Sequence, residues 1–202
     1  MGNVAKKVVS VDSWVSDIAS SEASDADKVD AIFRKITSHG IKNYGSASVA
    51  DFINKHNASC QSLVDVMYSC LRSAGVDTST FRPGNWDDAE NYRLGPSART
   101  IAGLTGNTGG VLGWFFPNHH WATWGGTEYD LLFNLVGRHA PSTEPSASGT
   151  HNGVHYKKYG NLYAVAKKWG QNGNCWPYKG PEQAHVTNSE NEIQDWIEQN
   201  KT

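Results

Sequence analysis

The residue in this sequence whose position first suggests chemistry is Cys60. The stretch Asn57–Gly75 predicts one helix, because apolar residues recur at the three-and-four spacing of a buried face. Those residues are Leu63, Met67, Cys70, Leu71 and Ala74. Asn57 or Ser59 can cap the start of this helix, and Gly75 ends it. Cys60 then lies in the first turn, where unpaired N–H groups and the helix dipole favour a nucleophilic thiolate.

A packing role is the ordinary alternative for a free cysteine, since free cysteines are among the most buried residues. Cys70 lies in the body of the same predicted helix, on its apolar side, and we expect it to be structural. A second stretch of the sequence favours chemistry at Cys60, because it supplies the groups that a cysteine nucleophile needs.

That second stretch is Asn118–Phe133, in which two aromatic-rich runs flank Gly125-Gly126. Two glycines between such runs are a strong signal for a two-residue hairpin turn. Side chains alternate along strands, so this turn places His119 and Asp130 on one face as diagonal neighbours, with His120 on the other. A three-residue turn would instead bring His120 to that face. An imidazole oriented by a carboxylate is the general-base half of a cysteine triad.

The order of these residues resembles the transglutaminase-like branch of the papain-like cysteine enzymes. In that branch a cysteine at a helix N-terminus is followed by His-x-Trp on one strand and Asp on the next. Asp27–Ile36 with Ile41–Tyr44 resembles its first helix and the I-x-Y segment after it, and Leu71–Val76 resembles its L-R-x-A-G-I ending of the cysteine helix. The chain departs from the pattern at Ala58, where the family often has glycine, and at Thr123, where it often has glutamate.

The resemblance implies an α+β, papain-like fold in which helices carrying the cysteine pack on an antiparallel sheet. It also implies acyl transfer from protein or peptide amides, with Cys60 as nucleophile, His119 as base and Asp130 orienting the ring. Proteolysis, glutamine deamidation and transamidation all use these residues, so the acceptor stays open. The small chain also fits a delivered bacterial effector or toxin domain.

Two other functions remain open at this stage. One is a cell-wall peptidoglycan amidase or peptidase on a related fold, and the other is a non-catalytic binding module in which Cys60 is buried and unreactive. The oxyanion site is also incomplete: the backbone N–H of Cys60 is one donor, and the second is undecided. The candidates are Asn54, His56, Asn57 or the indole of Trp86, Trp114, Trp121 or Trp124.

The composition of the chain gives no support for binding to nucleic acid or for insertion into a membrane. A formal net charge of −2 gives no general attraction to nucleic acid or acidic membranes, and no apolar run approaches the ~18 residues of a membrane span. We see no apolar stretch typical of an N-terminal signal peptide. Three cysteines without a disulfide-framework spacing suit a reducing compartment or a free reactive thiol.

We expect no metal or cofactor, because the sequence has neither His-Glu-x-x-His nor Cys-x-x-Cys. A zinc site built from His119, His120 and Asp130 is the less favoured alternative. The oligomeric state is not predicted by the sequence.

The chain divides on its pattern into a papain-like core over residues 1–137, a flexible linker or loop over 138–153, and a C-terminal extension over 154–202 that packs on the core. The linker prediction rests on the proline, serine and glycine content of 138–153.

Further elements follow from local patterns. Ser24 predicts the cap of a helix that runs to His39, and Ser189 with Glu192 predicts the capping box of a last helix. The spacing of apolar residues in Asn161–Trp169 favours a short helix. Pro83–Gly110 has no clear period, and we expect a loop that borders the cleft.

Overall fold

The computed structural model describes residues 8–87, 93–95, 114–116, 118–140, 145–166 and 184–200. The protein combines α-helices with mainly antiparallel sheets, which confirms the α+β class. It separates into two compact units. The first is Met1–Gly84, Arg99–Ala102 and His120–His139, and the second is Asn85–Ala98, Gly103–His119 and Ala140–Thr202.

The helices are α1 (Val11–Trp14), α2 (Ser16–Ala19), α3 (Asp25–His39), α4 (Val49–Lys55), α5 (Cys60–Ser73) and α6 (Glu190–Asn200). The strands are β1 (Asn43–Tyr44), β2 (Asn57–Ala58), β3 (Arg82–Asp87), β4 (Arg93–Gly95), β5 (Trp114–Phe116), β6 (Asn118–Trp124), β7 (Thr127–Asp130), β8 (Leu135–Val136), β9 (Ala147–His151), β10 (Val154–Tyr159), β11 (Leu162–Ala166) and β12 (Ala184–Thr187).

Helix α3 forms as the sequence predicts. The Oγ of Ser24 accepts a hydrogen bond from the N–H of Asp27 at 3.2 Å, and Gly40 ends the helix with φ 71°. The buried stripe consists of Val29, Ile32, Phe33 and Ile36. The amphipathic pattern therefore fixes which face of α3 turns inward.

Two β arrangements matter for the candidate site. Strands β1 and β2 form a parallel pair directly before α5, with Tyr44 opposite Ala58. Strands β3, β6, β7 and β8 form a sheet in that order, and it contains the predicted hairpin as β6 and β7.

The C-terminal part folds as a four-stranded antiparallel sheet, in the order β12-β11-β10-β9, followed by α6. Its small core consists of Val154, Val165, Ile193 and Ile197. The predicted capping box is present at the start of α6, where the N–H of Glu192 donates to the Oγ of Ser189 at 3.3 Å.

The helix predicted over Asn161–Trp169 is wrong, because residues 162–166 form β11. Tyr159 pairs with Leu162, so Gly160-Asn161 is a two-residue hairpin turn, and Gly160 has the positive φ of 62° that such a turn needs. The apolar spacing that suggested a helix also fits a strand this short. Residues 167–169 lie outside the described ranges.

The linker predicted over 138–153 is corrected for residues 147–151, which form β9. Val154 pairs with His151 across a turn made by Asn152 and Gly153, whose φ values are 48° and 80°. Asn-Gly between two strands is a strong hairpin signal, which outweighs the proline and serine content on which the linker prediction rested.

The prediction of a loop over Pro83–Gly110 is wrong in part. Strand β3 extends to Asp87, and β4 occupies Arg93–Gly95 and pairs with β5. The remainder of that prediction lies outside the residues that the structure describes. Within the described parts of the chain, no helix is long and apolar enough to cross a membrane.

Gly84 and Gly45 offer a matched pair for testing the packing of β3. A Cβ on Gly84 would overlap the indole of Trp121, whereas a Cβ on Gly45 would meet nothing within 4 Å. We therefore expect Gly84→Ala to lower the free energy of unfolding by about 1–3 kcal/mol, as overpacking does. Gly45→Ala should change it by less than about 0.5 kcal/mol. Urea unfolding of both variants checks this, and equal effects would contradict the close approach of Gly84 to Trp121.

Candidate functional site

Cys60 is the first residue of α5, as the sequence predicts. Of the two possible caps, Ser59 takes the role, since its Oγ accepts from the N–H of Ser62 at 3.2 Å, while Asn57 belongs to β2. The side chain of Cys60 is buried, with 4% of the residue exposed. The thiol therefore lies where the helix directs N–H groups outward and where the dipole favours negative charge.

A tyrosine hydroxyl lies beside this thiol. The Oη of Tyr44 donates to the Sγ of Cys60 across 3.5 Å. Tyr44 occupies β1, and the parallel pairing with β2 sets its place relative to the start of α5. This contact was not predicted from the sequence, where the only signal for Tyr44 is its position in the I-x-Y segment of the family resemblance.

Side-chain hydrogen bonds also join the segment after β1 to the first turn of α5. The Oγ of Ser62 accepts from the N–H of Ala47 at 3.0 Å and lies 3.0 Å from the Oγ of Ser59. Ser62 is buried, with 4% exposed. These bonds hold the helix start in a defined position relative to β1.

Both cysteines of α5 are buried, and Cys70 occupies the position in the helix body that the sequence predicts. It lies in the body of α5 and is fully buried. Burial raises the pKa of the Cys70 thiol to about 12. At neutral pH Cys70 is therefore a protonated thiol with a packing role. Cys60, in contrast, lies at the N-terminus of α5, which favours the thiolate.

The hairpin has the predicted two-residue turn. Trp124 pairs with Thr127, and Gly125 and Gly126 have φ values of 57° and 82°, the two positive angles of a type I′ turn. This register places the odd-numbered residues of β6 on the face of Glu128 and Asp130. The alternative three-residue turn, which would have favoured His120, does not form.

Asp130 and His119 are both fully buried. Asp130 ends β7, and its Oδ1 accepts from the N–H of Phe133 at 3.2 Å. His119 lies in β6, and its ring centroid is 5.9 Å from that of Trp86. Cys60 and Asp130 belong to the first compact unit and His119 to the second, so the meeting of the three side chains stays a prediction.

Several candidates for the second oxyanion donor are engaged with other groups in the structure. Asn54 makes a reciprocal pair with the backbone of Val9, at 2.9 and 3.0 Å. The ring of His56 stacks on that of His39 with centroids 3.8 Å apart, and its Nδ1 lies 3.0 Å from the carbonyl oxygen of His39. Trp124 donates its Nε1–H to the carbonyl of Asp77 at 2.7 Å. These side chains are held by other partners.

Asn57 and Trp121 are similarly engaged. The Oδ1 of Asn57 accepts from the Nδ2 of Asn43 at 2.9 Å. Trp121 stacks on His139 with ring centroids 3.8 Å apart, and the Nδ1 of His139 lies 3.0 Å from the Oε2 of Glu128. Glu128 with His139 is a second imidazole–carboxylate pair, which the sequence analysis missed because it assigned residue 138 onward to a linker.

No group of three or more His, Cys, Asp or Glu side chains that could hold a metal ion occurs among the residues described. His119 and Asp130 were the sequence's alternative zinc ligands, together with the half-buried His120.

Comparison with models of known protein families finds no match for this chain, and a search of curated proteins finds no significant match. The family resemblance therefore rests on the residues of this sequence alone: the cysteine at the start of α5, the histidine of β6 and the aspartate of β7.

The two cysteines of α5 make an internal comparison. We expect iodoacetamide at pH 7 to modify Cys60 well before Cys70, because alkylation requires the thiolate and burial raises the pKa of Cys70 to about 12. Mass spectrometry of the two cysteine-containing peptides over a time course measures both rates. Equal rates, or modification of Cys60 only after unfolding, would remove the nucleophile.

Proposed function

We propose that this protein is a cysteine-dependent enzyme that transfers acyl groups from protein or peptide amides, on a papain-like fold of the transglutaminase type. The observation that carries the proposal is the position of Cys60 at the capped start of a helix of 14 residues, with a tyrosine hydroxyl on its sulfur. Cys70, in the body of the same helix, serves as the structural comparison.

In the first half of the reaction, the sulfur of Cys60 attacks the amide carbonyl carbon and a C–S bond forms. His119 takes the thiol proton, and the carbonyl oxygen becomes an oxyanion. In the first turn of α5 the N–H of Ser62 donates to the Oγ of Ser59, so we assign the backbone N–H of Cys60 as the donor to that oxyanion.

In the second half, His119 returns its proton to the leaving nitrogen and the C–N bond breaks, which leaves a thioester on Cys60. Attack by water completes hydrolysis or deamidation, and attack by an amine completes transamidation. Asp130 orients the ring of His119 and stabilises its protonated form, as the acid of a triad does.

The burial of Asp130 supports its role. A carboxylate taken fully out of water is costly unless hydrogen-bond donors surround it. Phe133 supplies one donor, its backbone N–H. An imidazolium formed during the reaction would supply a charged one, which is worth more than a neutral donor.

The hairpin register generates a prediction that separates adjacent histidines. We expect His119→Ala to lower kcat/KM by about 10²–10⁴-fold, the contribution of a general base. His120→Ala is the matched control, because alternation along β6 turns its side chain to the opposite face. Steady-state kinetics on one amide substrate measures both variants, and a larger loss for His120→Ala would reassign the base.

One experiment can determine both the type of reaction and the substrate from the products. The protein, its Cys60→Ala variant and its Cys70→Ala variant are each incubated with a cell proteome, and the products are analysed by mass spectrometry. Cleaved peptides, deamidated glutamines and crosslinked peptides distinguish the three acceptors. The products should disappear with Cys60→Ala and persist with Cys70→Ala.

Two outcomes of that experiment would contradict the proposal. Products that persist in the Cys60→Ala variant would move the nucleophile elsewhere. A proteome left unchanged by the wild-type protein, together with an unreactive Cys60, would favour a binding module. A parallel incubation with peptidoglycan tests the cell-wall amidase directly, because released stem peptides would identify that substrate.

A further inference from the structure

We propose that Tyr44 is a functional residue of this site, whose hydroxyl holds Cys60 in its thiolate form by donating a hydrogen bond to the sulfur. The inference rests on the proposed role of Cys60 as nucleophile and deepens it. The contact that carries it is the one between the Oη of Tyr44 and the Sγ of Cys60, across 3.5 Å.

The backbone around Tyr44 fixes the position of its side chain. Tyr44 pairs with Ala58, two residues before Cys60, and the N–H of Gly45 donates to the carbonyl of Ala58 at 3.1 Å. On the other side, the N–H of Lys42 donates to the carbonyl of His56 at 2.8 Å. Backbone bonds on both sides of Tyr44 thus tie β1 to the segment that enters α5.

The first turn of α5 is tied to the same segment. Ala47, three residues after Tyr44, donates its N–H to the Oγ of Ser62 at 3.0 Å. A hydroxyl on β1 and a thiol on α5 are therefore held on two backbones that cannot separate without breaking this set of bonds. Such preorganisation favours a contact that is kept during a reaction.

Helices α3 and α4 pack against α5, and each carries a lysine that is engaged in an ion pair. On α4, Lys55 pairs with Asp51 at 2.7 Å. On α3, Lys35 pairs with Asp17 at 3.0 Å.

Two histidines near β2, His39 and His56, are engaged with each other. His56, which directly precedes β2, stacks its ring on His39 of α3. The hydroxyl of Tyr44 is a neutral donor, and in the proposed reaction the proton of the Cys60 thiol passes to His119.

A neutral donor suits this purpose chemically. A phenol has an ordinary pKa of about 10, so Tyr44 keeps its proton at neutral pH. A hydrogen bond to the charged form of a group stabilises that form. The proton stays on Tyr44 throughout: the hydroxyl donates to the sulfur anion, and the bond weakens when the sulfur gives its electron pair to the new C–S bond.

Removing the hydroxyl alone tests this. In the 202-residue protein, Tyr44→Phe keeps the ring and deletes the donor, and Tyr68→Phe is the control. Tyr68 lies on α5 itself, with 38% exposed and its ring against that of Phe81. The readout is the rate of iodoacetamide modification of the Cys60 peptide from acid to alkaline pH. This gives the thiol pKa without any substrate.

We expect Tyr44→Phe to raise the pKa of Cys60 by about one to two units, the effect of losing one hydrogen bond to a charged group. Tyr68→Phe should leave the profile unchanged. Replacement of Tyr44 by a fluorinated tyrosine, whose phenol is a stronger donor, should shift the profile in the opposite direction. A purely structural role for Tyr44 would not produce these opposite shifts.

Two results would overturn the inference: an unchanged Cys60 profile in folded Tyr44→Phe, or shifts of the same sign for phenylalanine and fluorotyrosine. Its failure is distinguishable from failure of the proposed function. If Cys60→Ala abolishes acyl transfer but Tyr44→Phe leaves the profile unchanged, only the role of Tyr44 fails. If Tyr44→Phe shifts the profile but no Cys60-dependent transfer occurs, the thiolate is stabilised for another purpose.

Discussion

The capped start of α5 is the constraint on which the candidate site depends. Ser59 ends the extended chain and begins the helix, so Cys60 takes the first helical position. A shift of this boundary by one turn would move the thiol into the helix body, away from the unpaired N–H groups of the first turn. The parallel pair β1–β2 adds the hydroxyl of Tyr44 at the same point.

The hairpin β6–β7 is the second constraint, and it acts through register. Two glycines with positive φ leave one way to pair the strands, and that pairing sets the face of His119 and of Asp130. Trp121 lies two residues after His119 on β6, and Gly84 closely approaches its indole. Helix start and hairpin thus each fix part of the proposed chemistry through local backbone geometry.

Local signals were sufficient where a single residue type decides the conformation. Ser24 caps α3 and the Gly125-Gly126 turn sets its register, as predicted, and α5 uses Ser59, one of the two caps that the sequence offered. The helix prediction over 161–169 failed because a short apolar spacing fits a strand as well, and the Gly160-Asn161 turn decided between them. Tyr44 was missed for a different reason: its contact joins segments distant in sequence, which only the β1–β2 pairing brings together.

The central claim is that Cys60 carries the acyl group between donor and acceptor, and trapping that intermediate tests it most directly. The protein is mixed with an amide substrate, quenched in acid within the first turnover, digested and analysed by mass spectrometry. The account predicts an acyl adduct on the Cys60 peptide that hydroxylamine removes, as it removes thioesters, with no adduct on Cys70. An adduct on any other residue, or turnover without a covalent intermediate, would contradict it.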